Sequence, residues 1–441
     1  MQIQENHDAY GEIIMNLAFT NIRLVSPHQK LDRRITLWIR DGIIEHAGPE
    51  QPQFDPQTTV KDGSALVASP GLFDMHVHLR EPGQTHKETI LTGTASAANG
   101  GFTGVVCMPN TEPSIDTVAT IEYIQSRAKA TPVDVFVCAA ATVARAGAEL
   151  SSMQSLHEAG AVMFSDDGGC VSDADMMRKA FDYGASIDAL LTQHCEEHSL
   201  TKNFAMHEGK VSAELGLRGY PSVAEDIIVA RDVLLAEYCG NRRYHAAHIS
   251  TAGSVRIMRE ARARGQRVSC EVAPHHFLLT DEAVRGYNTN AKMNPPLRTQ
   301  ADIEAILQGL ADGTIDVIAT DHAPHTAEEK NVEFDLAPNG VVGLETSLGL
   351  SLTALVHTGV LSIMQLVDKM SVQPRRILNL PQPVIAKGEI ANVCVFEPDA
   401  EWRVQPAKFL SKSKNTPFAD TAVKGKPRFT FNKGMMIECD I

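Results

Sequence analysis

The segment SPGLFDMHVHLREP (residues 69–82) contains a short apolar run, LFDMHVHL, that ends in two histidines separated by one residue. Seven further short apolar runs follow, and amphipathic or Ala-rich helical stretches lie between most of them. They are FTGVVCM (102–108), VDVFVCAA (133–140), AVMFSD (161–166), ALLTQHC (189–195), RYHAAHI (243–249), RVSCEVA (267–273) and IDVIATD (315–321). Eight buried strands with helical crossovers predict an α/β fold with a closed barrel. An open doubly wound sheet is disfavoured, because no Gly-rich phosphate loop follows any of the strands.

The two ends of the chain have a different pattern. Apolar and polar residues alternate before the first barrel run, where Asp41-Gly42 is a hairpin signal, and ANVCVFEPDAEWRV and KPRFTFNKGMMIE near the other end are also strand-rich. We therefore expect a (β/α)₈ TIM barrel with a small composite β-sandwich domain built from both chain ends. The expected boundaries are 1–16 for an N-terminal extension, 17–69 and 385–441 for the β-sandwich, and 70–384 for the barrel.

Charge and composition exclude several functional classes. The formal net charge of −14 disfavours a nucleic-acid partner, which needs basic residues to neutralise phosphates. No apolar run reaches the roughly 18 residues of a membrane helix, and the N-terminus lacks a secretory pattern. The eight cysteines form no CxxC pair and are typical of reduced thiols. The sequence thus predicts a cytoplasmic protein with a small-molecule substrate, no nucleic acid and no membrane.

Residues that can bind metal ions occur at the ends of five of the predicted strands. Side chains alternate along a strand, so His76 and His78 point to the same side. The carboxyl ends of barrel strands form one rim, where barrel active sites lie. The residues concerned are His76 and His78, Asp166 and Asp167, His194, His248, and Asp321. Four imidazoles and two carboxylates predict one or two Zn²⁺ ions, and from the residues alone either Asp166 or Asp167 can be the bridging acid.

This ligand set also indicates a reaction. Divalent ions lower the pKa of bound water, so a hydroxide held between them is a nucleophile at neutral pH. Asp321 can orient that hydroxide and pass its proton to a leaving nitrogen, while the metal polarises the carbonyl. The predicted chemistry is hydrolysis of an amide-like bond, or its reverse.

Four further residues are predicted to contact the substrate. Arg80 follows His78 on the same face of an extended segment, and its planar fork of donors suits a carboxylate. Asn110 and Asn294 offer amide donors and acceptors for a planar ureide, and His325 adds a donor. Neighbouring histidines are assigned to packing or supporting roles rather than to ligation: His275, His276 and His322.

At these residues the chain resembles the amidohydrolase superfamily and, within it, class I dihydroorotase, over about residues 65–385. The similar stretches are PGLFDMHVHLREPGQTHKE (70–88), GGFTGVVCMPNTEP (100–113), FSDDGG (164–169), QHCEEHSL (193–200), HIST (248–251), APHHFLLTD (273–281), KMNPPLR (292–298), TDHAPH (320–325) and GLETSLGL (343–350). The resemblance implies reversible cyclisation of N-carbamoyl-L-aspartate to (S)-dihydroorotate, a step of pyrimidine (UMP) biosynthesis.

The resemblance also implies a role for each matching residue. It implies zinc ligands at His76, His78, Asp167, His194, His248 and Asp321, and so prefers Asp167 to Asp166. It implies substrate contacts at His78, Arg80, Asn110, Asn294 and His325, with help from the backbone around Asn339 and Gly340. It makes Asp321 the general acid and base. It makes a homodimer or higher homo-oligomer the expected assembly, with aspartate transcarbamoylase as a further partner.

Two alternatives remain at this stage. The first is another cyclic amidase, an allantoinase or a dihydropyrimidinase (hydantoinase). Many such relatives bridge their metals with a carboxylated Lys at strand 4, where AVMFSDDGG has none, and Arg80 favours a substrate with a free carboxylate. The second is a non-catalytic partner of aspartate transcarbamoylase, which the complete set of expected ligands disfavours.

Overall fold

The computed structural model describes residues 16–441, and within them the chain forms eighteen strands and fourteen α-helices. The strands are β1 Asn16–Ser26, β2 Leu31–Arg40, β3 Ile43–Gly48, β4 Thr59–Asp62, β5 Val67–Pro70, β6 Leu72–Val77, β7 Phe102–Cys107, β8 Asp134–Ala139, β9 Ala161–Phe164, β10 Leu191–Gln193, β11 Met206–His207, β12 Gly219–Tyr220, β13 Tyr244–Ala246, β14 Val268–Val272, β15 Val317–Ile318, β16 Val393–Arg403, β17 Ala422–Asn432 and β18 Met435–Glu438. The helices are α1 Ile90–Asn99, α2 Val118–Ala128, α3 Met153–Glu158, α4 Ala174–Gly184, α5 His198–Thr201, α6 Lys210–Leu215, α7 Val223–Tyr238, α8 Ala252–Ala263, α9 Pro274–Leu278, α10 Gln300–Asp312, α11 Ala327–Lys330, α12 Ser347–Ser351, α13 Ile363–Val367 and α14 Gln373–Ile377. The predicted N-terminal extension lies outside the described residues, except for Asn16, which begins β1.

The middle of the chain is a parallel barrel. Its strands are hydrogen-bonded in the order β6-β7-β8-β9-β10-β13-β14-β15, and each lies within one of the eight predicted runs. A parallel bridge between Val77 and His322 brings the first and last strands together, and the His78 N–H donates to the His322 carbonyl oxygen (2.8 Å). The predicted barrel is therefore confirmed.

Burial explains why these strands were readable from the sequence. Strands β6, β7 and β14 are buried along their whole length. A strand covered on both faces needs an almost continuous apolar sequence, unlike the alternating strands of a half-exposed sheet. Any charged residue within such a strand, such as Glu271 in β14, is consequently a sign of a buried polar interaction.

The two chain ends combine into a second sheet, in the order β18-β17-β16-β5-β1-β2-β3, with β4 paired to β1. Asp41 and Gly42 join β2 to β3 with positive φ angles of 48° and 78°, as the hairpin signal predicts. The rings of Phe19 in β1 and Phe429 in β17 have centroids 5.4 Å apart. These strands are three spacings apart in sheet order, about 14 Å in a flat sheet, so the sheet folds over its own apolar core.

The structure also bears on the membrane and cysteine predictions. Among the helices described, none combines the length and the apolar character that crossing a bilayer requires. The eight cysteines all lie in the described part of the chain and are unpaired, and seven of them are buried. These thiols therefore act as small apolar side chains in the interior.

Candidate active site

The residues predicted from strand ends gather around one cavity at the carboxyl end of the barrel. Its volume is 260 Å³. The lining residues are His78, Arg80, Asn110, Asp167, Gly168, His194, His248, Asn294, Asp321, Ala323, His325, Asn339 and Gly340. Every predicted site residue is on this wall except His76, which is fully buried, and Asp166, the alternative to Asp167.

The first part of the cluster joins the two histidines of β6 to two acids. His76 Nε2 lies 3.5 Å from Asp167 Oδ2 and 3.6 Å from Asp321 Oδ1. His78 Nε2 lies 3.0 Å from Asp321 Oδ1 and 3.6 Å from Asp167 Oδ2. Four side chains from the ends of three strands thus converge, as strand alternation and strand ends predict.

The second part of the cluster adds two histidines from neighbouring strands. His248 Nε2 lies 3.7 Å from Asp167 Oδ1, and His194 Nδ1 lies 3.0 Å from His248 Nε2. The other ring nitrogen of His194, Nε2, is 3.0 Å from Glu196 Oε2. All six predicted ligands therefore occupy one continuous cluster.

Hydrogen bonds on the far side of two rings fix how they face the cluster. Nδ1 of His76 is 2.5 Å from Glu271 Oε1, and Nδ1 of His78 is 2.8 Å from Asn110 Oδ1. Both oxygens are acceptors, so each Nδ1 carries the proton and each Nε2 presents a lone pair to a carboxylate. The lone pairs of these Nε2 atoms and of the carboxylate oxygens, which lie 3.0 to 3.6 Å apart, repel each other unless a proton or a cation lies between them.

These atoms fit a divalent cation. His76 Nε2 and Asp167 Oδ1 are buried and have no hydrogen-bond partner in the described chain. Ligands bound tetrahedrally at about 2.1 Å from an ion lie about 3.4 Å from one another, close to the spacings above. Two triads have their donor atoms within 4.8 Å, and they share His76: His76, Asp167 and His248, and His76, His78 and Asp321. The chain therefore contains candidate metal-binding clusters of imidazoles and carboxylates.

The geometry distinguishes the two adjacent acids after β9. The Asp166 carboxylate accepts from the Thr142 backbone N–H (2.9 Å) and from the Thr142 hydroxyl, away from the histidines. Asp167 faces His76 and His248. Of the two alternatives left open by the sequence, Asp167 is the one that joins the cluster.

Backbone geometry corrects one step of the sequence argument. Strand β6 ends at Val77, and Arg80 has a left-handed backbone (φ 58°), so the extended segment proposed for Arg80 does not continue that far. His248 (φ 29°) and Asp321 (φ 48°) are also left-handed. Such conformations are costly for residues other than glycine, and they concentrate where side chains must be aimed at a functional site.

The same cavity is lined by a buried cation without a counter-ion, Arg80. Arg80 is 8% exposed, and its Nε donates to the Pro324 carbonyl oxygen (3.2 Å). Nη2 lies 3.4 Å from Nε2 of His325, and that nitrogen is 2.8 Å from the Asn339 carbonyl oxygen. Among the described residues no carboxylate lies within 4.0 Å of the guanidinium. Burial lowers the pKa of Arg80 to about 10, so it remains charged at neutral pH, whereas burial and the charge of Arg80 lower the pKa of His325 to about 3.

The amide of Asn294 lies beside the His194 end of the cluster. Its Nδ2 donates to Glu196 Oε2 (2.8 Å), while its Oδ1 is buried and has no partner among the described atoms. Asn339 Oδ1 is likewise buried and free of partners within the described chain. These two oxygens are available to accept hydrogen bonds from a bound molecule.

Sequence reasoning missed the acids that hold the histidines. Glu271 contacts His76 and lies 3.3 Å from His245, and Glu196 contacts His194. Burial opposes ionisation of Glu271, but its interactions with His76 and His245 outweigh burial and lower the pKa of Glu271 to about 2. A charged residue inside the apolar run RVSCEVA was the available signal, because a buried acid needs a partner.

The three histidines assigned to packing, like His194, lie outside the two triads, and their role stays a prediction. His276 Nε2 is 2.9 Å from the Pro295 carbonyl oxygen, next to Asn294. His322 Nδ1 accepts from the Gly343 N–H (3.2 Å). His275 is buried, and burial lowers its pKa to about 4.

Comparison with known proteins adds an independent line of evidence. A family model described as dihydro-orotase-like matches residues 65–254. The dihydroorotase of Pelotomaculum thermopropionicum is 51% identical over 404 residues, which cover 92% of this chain and 94% of the relative. That of Citrifermentans bemidjiense is 51% identical over 425 residues, 96% of this chain and 99% of the relative.

Solved structures agree on the fold. The L-hydantoinase (dihydropyrimidinase) from Arthrobacter aurescens superposes with a TM-score of 0.84 at 24% identity, covering 96% of both chains. The dihydropyrimidinase from Brevibacillus agri superposes with a TM-score of 0.81 at 19% identity, covering 96% of this chain and 95% of that one. Because half of all residues are shared with the dihydroorotases over nearly the full length, this chain belongs to the dihydroorotase family of cyclic-amide hydrolases.

Proposed function

We propose that this chain is a zinc-dependent dihydroorotase that converts N-carbamoyl-L-aspartate and (S)-dihydroorotate into each other in pyrimidine biosynthesis. One observation carries the proposal: a cluster of imidazoles and carboxylates shares a single cavity of 260 Å³ with a buried arginine that has no counter-ion. The cluster suits a hydrolytic metal site, and Arg80 suits the free carboxylate of the substrate.

The ligand proposal covers one or two Zn²⁺ ions held by His76, His78, Asp167, His194, His248 and Asp321. Imidazole and carboxylate donors suit zinc, and two triads that share His76 are compatible with either number. When bound, the metal lowers the pKa of water and polarises the scissile carbonyl. Glu271 and Glu196 keep the rings of His76 and His194 in the orientation that ligation needs.

Asp321 is the proposed general acid and base. Burial opposes its ionisation, but the neighbouring imidazoles, His78 first, outweigh burial and hold the pKa of Asp321 below its ordinary value. The carboxylate is therefore ionised at neutral pH and can accept a proton at Oδ1. In the hydrolytic direction it then passes that proton to the leaving nitrogen.

The other end of the cavity is proposed to bind and orient the substrate. Arg80 would pair with the carboxylate, and His325, which is neutral at physiological pH, would contact the same group. The free Oδ1 atoms of Asn294 and Asn339 would accept from ring N–H groups. Asn110, His78 and the backbone at Gly340 complete the proposed contacts.

The experiment that tests this function compares substrates on metal-analysed protein. We expect turnover of dihydroorotate, and much slower turnover of allantoin, hydantoin and dihydrouracil, which offer Arg80 no carboxylate. The protein should contain zinc in proportion to its activity. Fully metal-loaded protein that hydrolyses dihydrouracil but leaves dihydroorotate unchanged would refute the assignment.

Cellular context forms a separate proposal. We propose that the protein acts in the cytoplasm, where its unpaired thiols stay reduced, as a homodimer or higher homo-oligomer. Mass measurement in solution, alone and with aspartate transcarbamoylase, tests the assembly. The domain boundaries at 17–69, 70–384 and 385–441 are also proposed, and limited proteolysis tests them.

A further inference from the structure

Two lysines are buried beside the proposed substrate cavity. Lys330 and Lys292 are each 4% exposed, and among the described residues neither has a carboxylate within 4.0 Å of its ammonium. A buried charge is costly unless hydrogen bonds replace the lost water. Both ammonium groups instead donate to main-chain carbonyl oxygens.

Lys330 contacts main-chain oxygens of two separate segments. Its Nζ donates to the carbonyl oxygens of Lys292 (3.3 Å), Pro338 (2.8 Å) and Gly340 (3.2 Å). The Gly340 N–H also donates to the Lys292 carbonyl oxygen (3.0 Å). One ammonium thus ties residues 338–340 to the segment that begins at Lys292.

Lys292 makes the reciprocal connection. Its Nζ donates to the carbonyl oxygens of Phe334 (2.7 Å) and Asp335 (2.9 Å). Thr289 adds a hydroxyl hydrogen bond to the Lys330 carbonyl oxygen (2.6 Å). The loop 334–340 is consequently held at both of its ends by ammonium groups.

The two tied segments carry cavity residues. Asn294 follows Lys292 by two positions, and Asn339 lies between the two loop carbonyls that Lys330 binds. The Asn339 carbonyl oxygen contacts His325, and the His325 ring lies against Arg80. Any movement of Asn339 would therefore reach the group proposed to bind the substrate carboxylate.

We propose that Lys330 is a positioning residue for substrate binding: its ammonium holds the 338–340 loop against the 292–294 segment and so shapes the carboxylate-binding end of the cavity. This inference rests on the proposed function, because it concerns how that substrate is held. Lys330 touches no predicted metal ligand in its hydrogen bonds, so its effect should fall on binding rather than on the hydrolytic step.

The test compares three variants of the full-length, metal-loaded protein. Lys330→Met removes the charge and all three hydrogen bonds at similar length, and Lys330→Arg keeps a cationic donor. Lys369→Met is the matched control, because Lys369 is also buried (8% exposed) and its ammonium also donates to a carbonyl oxygen, that of Ile315 (2.5 Å). Ile315 precedes β15, whereas the carbonyl oxygens that Lys330 binds do not belong to that segment. Steady-state kinetics with dihydroorotate, zinc content and thermal unfolding are measured for each.

We expect Lys330→Met to raise KM about tenfold or more, which corresponds to about 1.4 kcal/mol or more, because the 338–340 loop would no longer be held in the shape that binds substrate. The kcat should stay within about threefold of wild type, and the zinc content should be unchanged. Lys330→Arg should recover part of the KM. Lys369→Met should lower thermal stability and leave KM unchanged.

Three results would overturn the inference while leaving the proposed function intact. They are a wild-type KM in folded Lys330→Met, a loss confined to kcat, and an equal rise of KM in Lys369→Met. If Lys330→Met does not fold, amide hydrogen exchange of residues 334–342 is compared in wild-type and Lys330→Arg protein, with and without dihydroorotate. Faster exchange in Lys330→Arg that dihydroorotate slows supports the role, and identical exchange refutes it. Wild-type protein without dihydroorotate turnover would instead refute the proposed function.

Discussion

Two buried arginines lie at opposite ends of the same barrel and differ in how their charge is used. Arg375, 4% exposed, donates to the carbonyl oxygens of Gly71 (2.8 Å) and Ser371 (2.9 Å) and to the Thr103 hydroxyl (3.0 Å). Arg80, 8% exposed, has one carbonyl and one histidine ring within reach and otherwise faces the cavity. The partners of the Arg375 guanidinium belong to the protein, whereas Nη1 of Arg80 has no hydrogen-bond partner among the described residues.

This difference separates structural from functional charge. Burial of a guanidinium is costly in both places, and both side chains have a lowered pKa because of burial. At the amino end of the barrel, the main-chain and hydroxyl oxygens that bind Arg375 offset that cost. At the carboxyl end we propose that a bound carboxylate offsets it, so that Arg80, rather than Arg375, binds substrate.

Replacement of Asp321 should have the largest effect on activity. Asp321→Asn cannot accept a proton, so we expect kcat for dihydroorotate to fall by about 10³–10⁴-fold while the fold is retained. Asp166→Asn is the matched control, because Asp166 contacts Thr142 instead of the cluster. The kcat for dihydroorotate is measured together with the zinc content and the circular dichroism spectrum of each variant. Near-wild-type kcat in Asp321→Asn would remove Asp321 from the mechanism.

Arg80→Met tests the unsatisfied charge directly. Loss of a charge-assisted pair with the substrate carboxylate should lower kcat/KM by about 10²-fold, or about 2.7 kcal/mol, mainly through KM. Arg80→Lys should retain part of the charge attraction but lose the planar fork. Initial rates over a range of dihydroorotate concentrations give both constants. An unchanged kcat/KM in Arg80→Met would refute the clamp.

Glu271→Gln probes the support beneath the metal cluster. The amide keeps the shape of the side chain but weakens its hold on His76 Nδ1, so we expect metal affinity to fall by about 10–100-fold. Competition with a chromophoric chelator measures this affinity without using activity. Equal zinc affinity in wild type and variant would show that Glu271 does not orient His76 for ligation.

Arg375→Met tests the satisfied charge. It removes the hydrogen bonds from the guanidinium to the Gly71 and Ser371 carbonyl oxygens, so the free energy of unfolding should fall by about 1–3 kcal/mol. The folded fraction should keep the wild-type kcat and KM, in contrast to Arg80→Met. Denaturant titration and kinetics on the same preparation check this. A specific loss of substrate binding would contradict the contrast between the two arginines.

The smallest expected effect is a pH dependence of KM. Burial and the charge of Lys292 lower the pKa of Lys330 to about 7. Below that pH the ammonium donates three hydrogen bonds, and above it the neutral amine donates two, so KM should rise a few-fold from pH 6.5 to 8.5 in wild type. The groups that face Lys330 are Lys292 and His325 and, around a neighbouring cavity, His86, Glu328, Lys412 and Lys414. Lys330→Arg should not show this rise, and parallel KM profiles for the two proteins would argue against a proton on Lys330 as the cause.

The fold was predictable because its elements have local signatures. The eight barrel strands are short apolar runs, and Asp41-Gly42 is a turn that needs positive φ. The position of the cavity followed from the same rule, since carboxyl ends of parallel strands meet at one rim. The route of Arg80 to the cavity was not predicted correctly, because a left-handed residue after β6 is invisible to an argument from alternation.

The sequence alone determined which residues could form the site: His76 and His78 through alternation, and His194, His248 and Asp321 through their strand-end positions. Only the tertiary structure decided between Asp166 and Asp167, joined Glu271 to His76 across 195 positions, and brought Lys330 to the carbonyls of a distant segment. The physical reason is that periodicity is a property of neighbours along the chain. A hydrogen bond between remote segments depends on how whole elements pack, and on which polar groups that packing deprives of water.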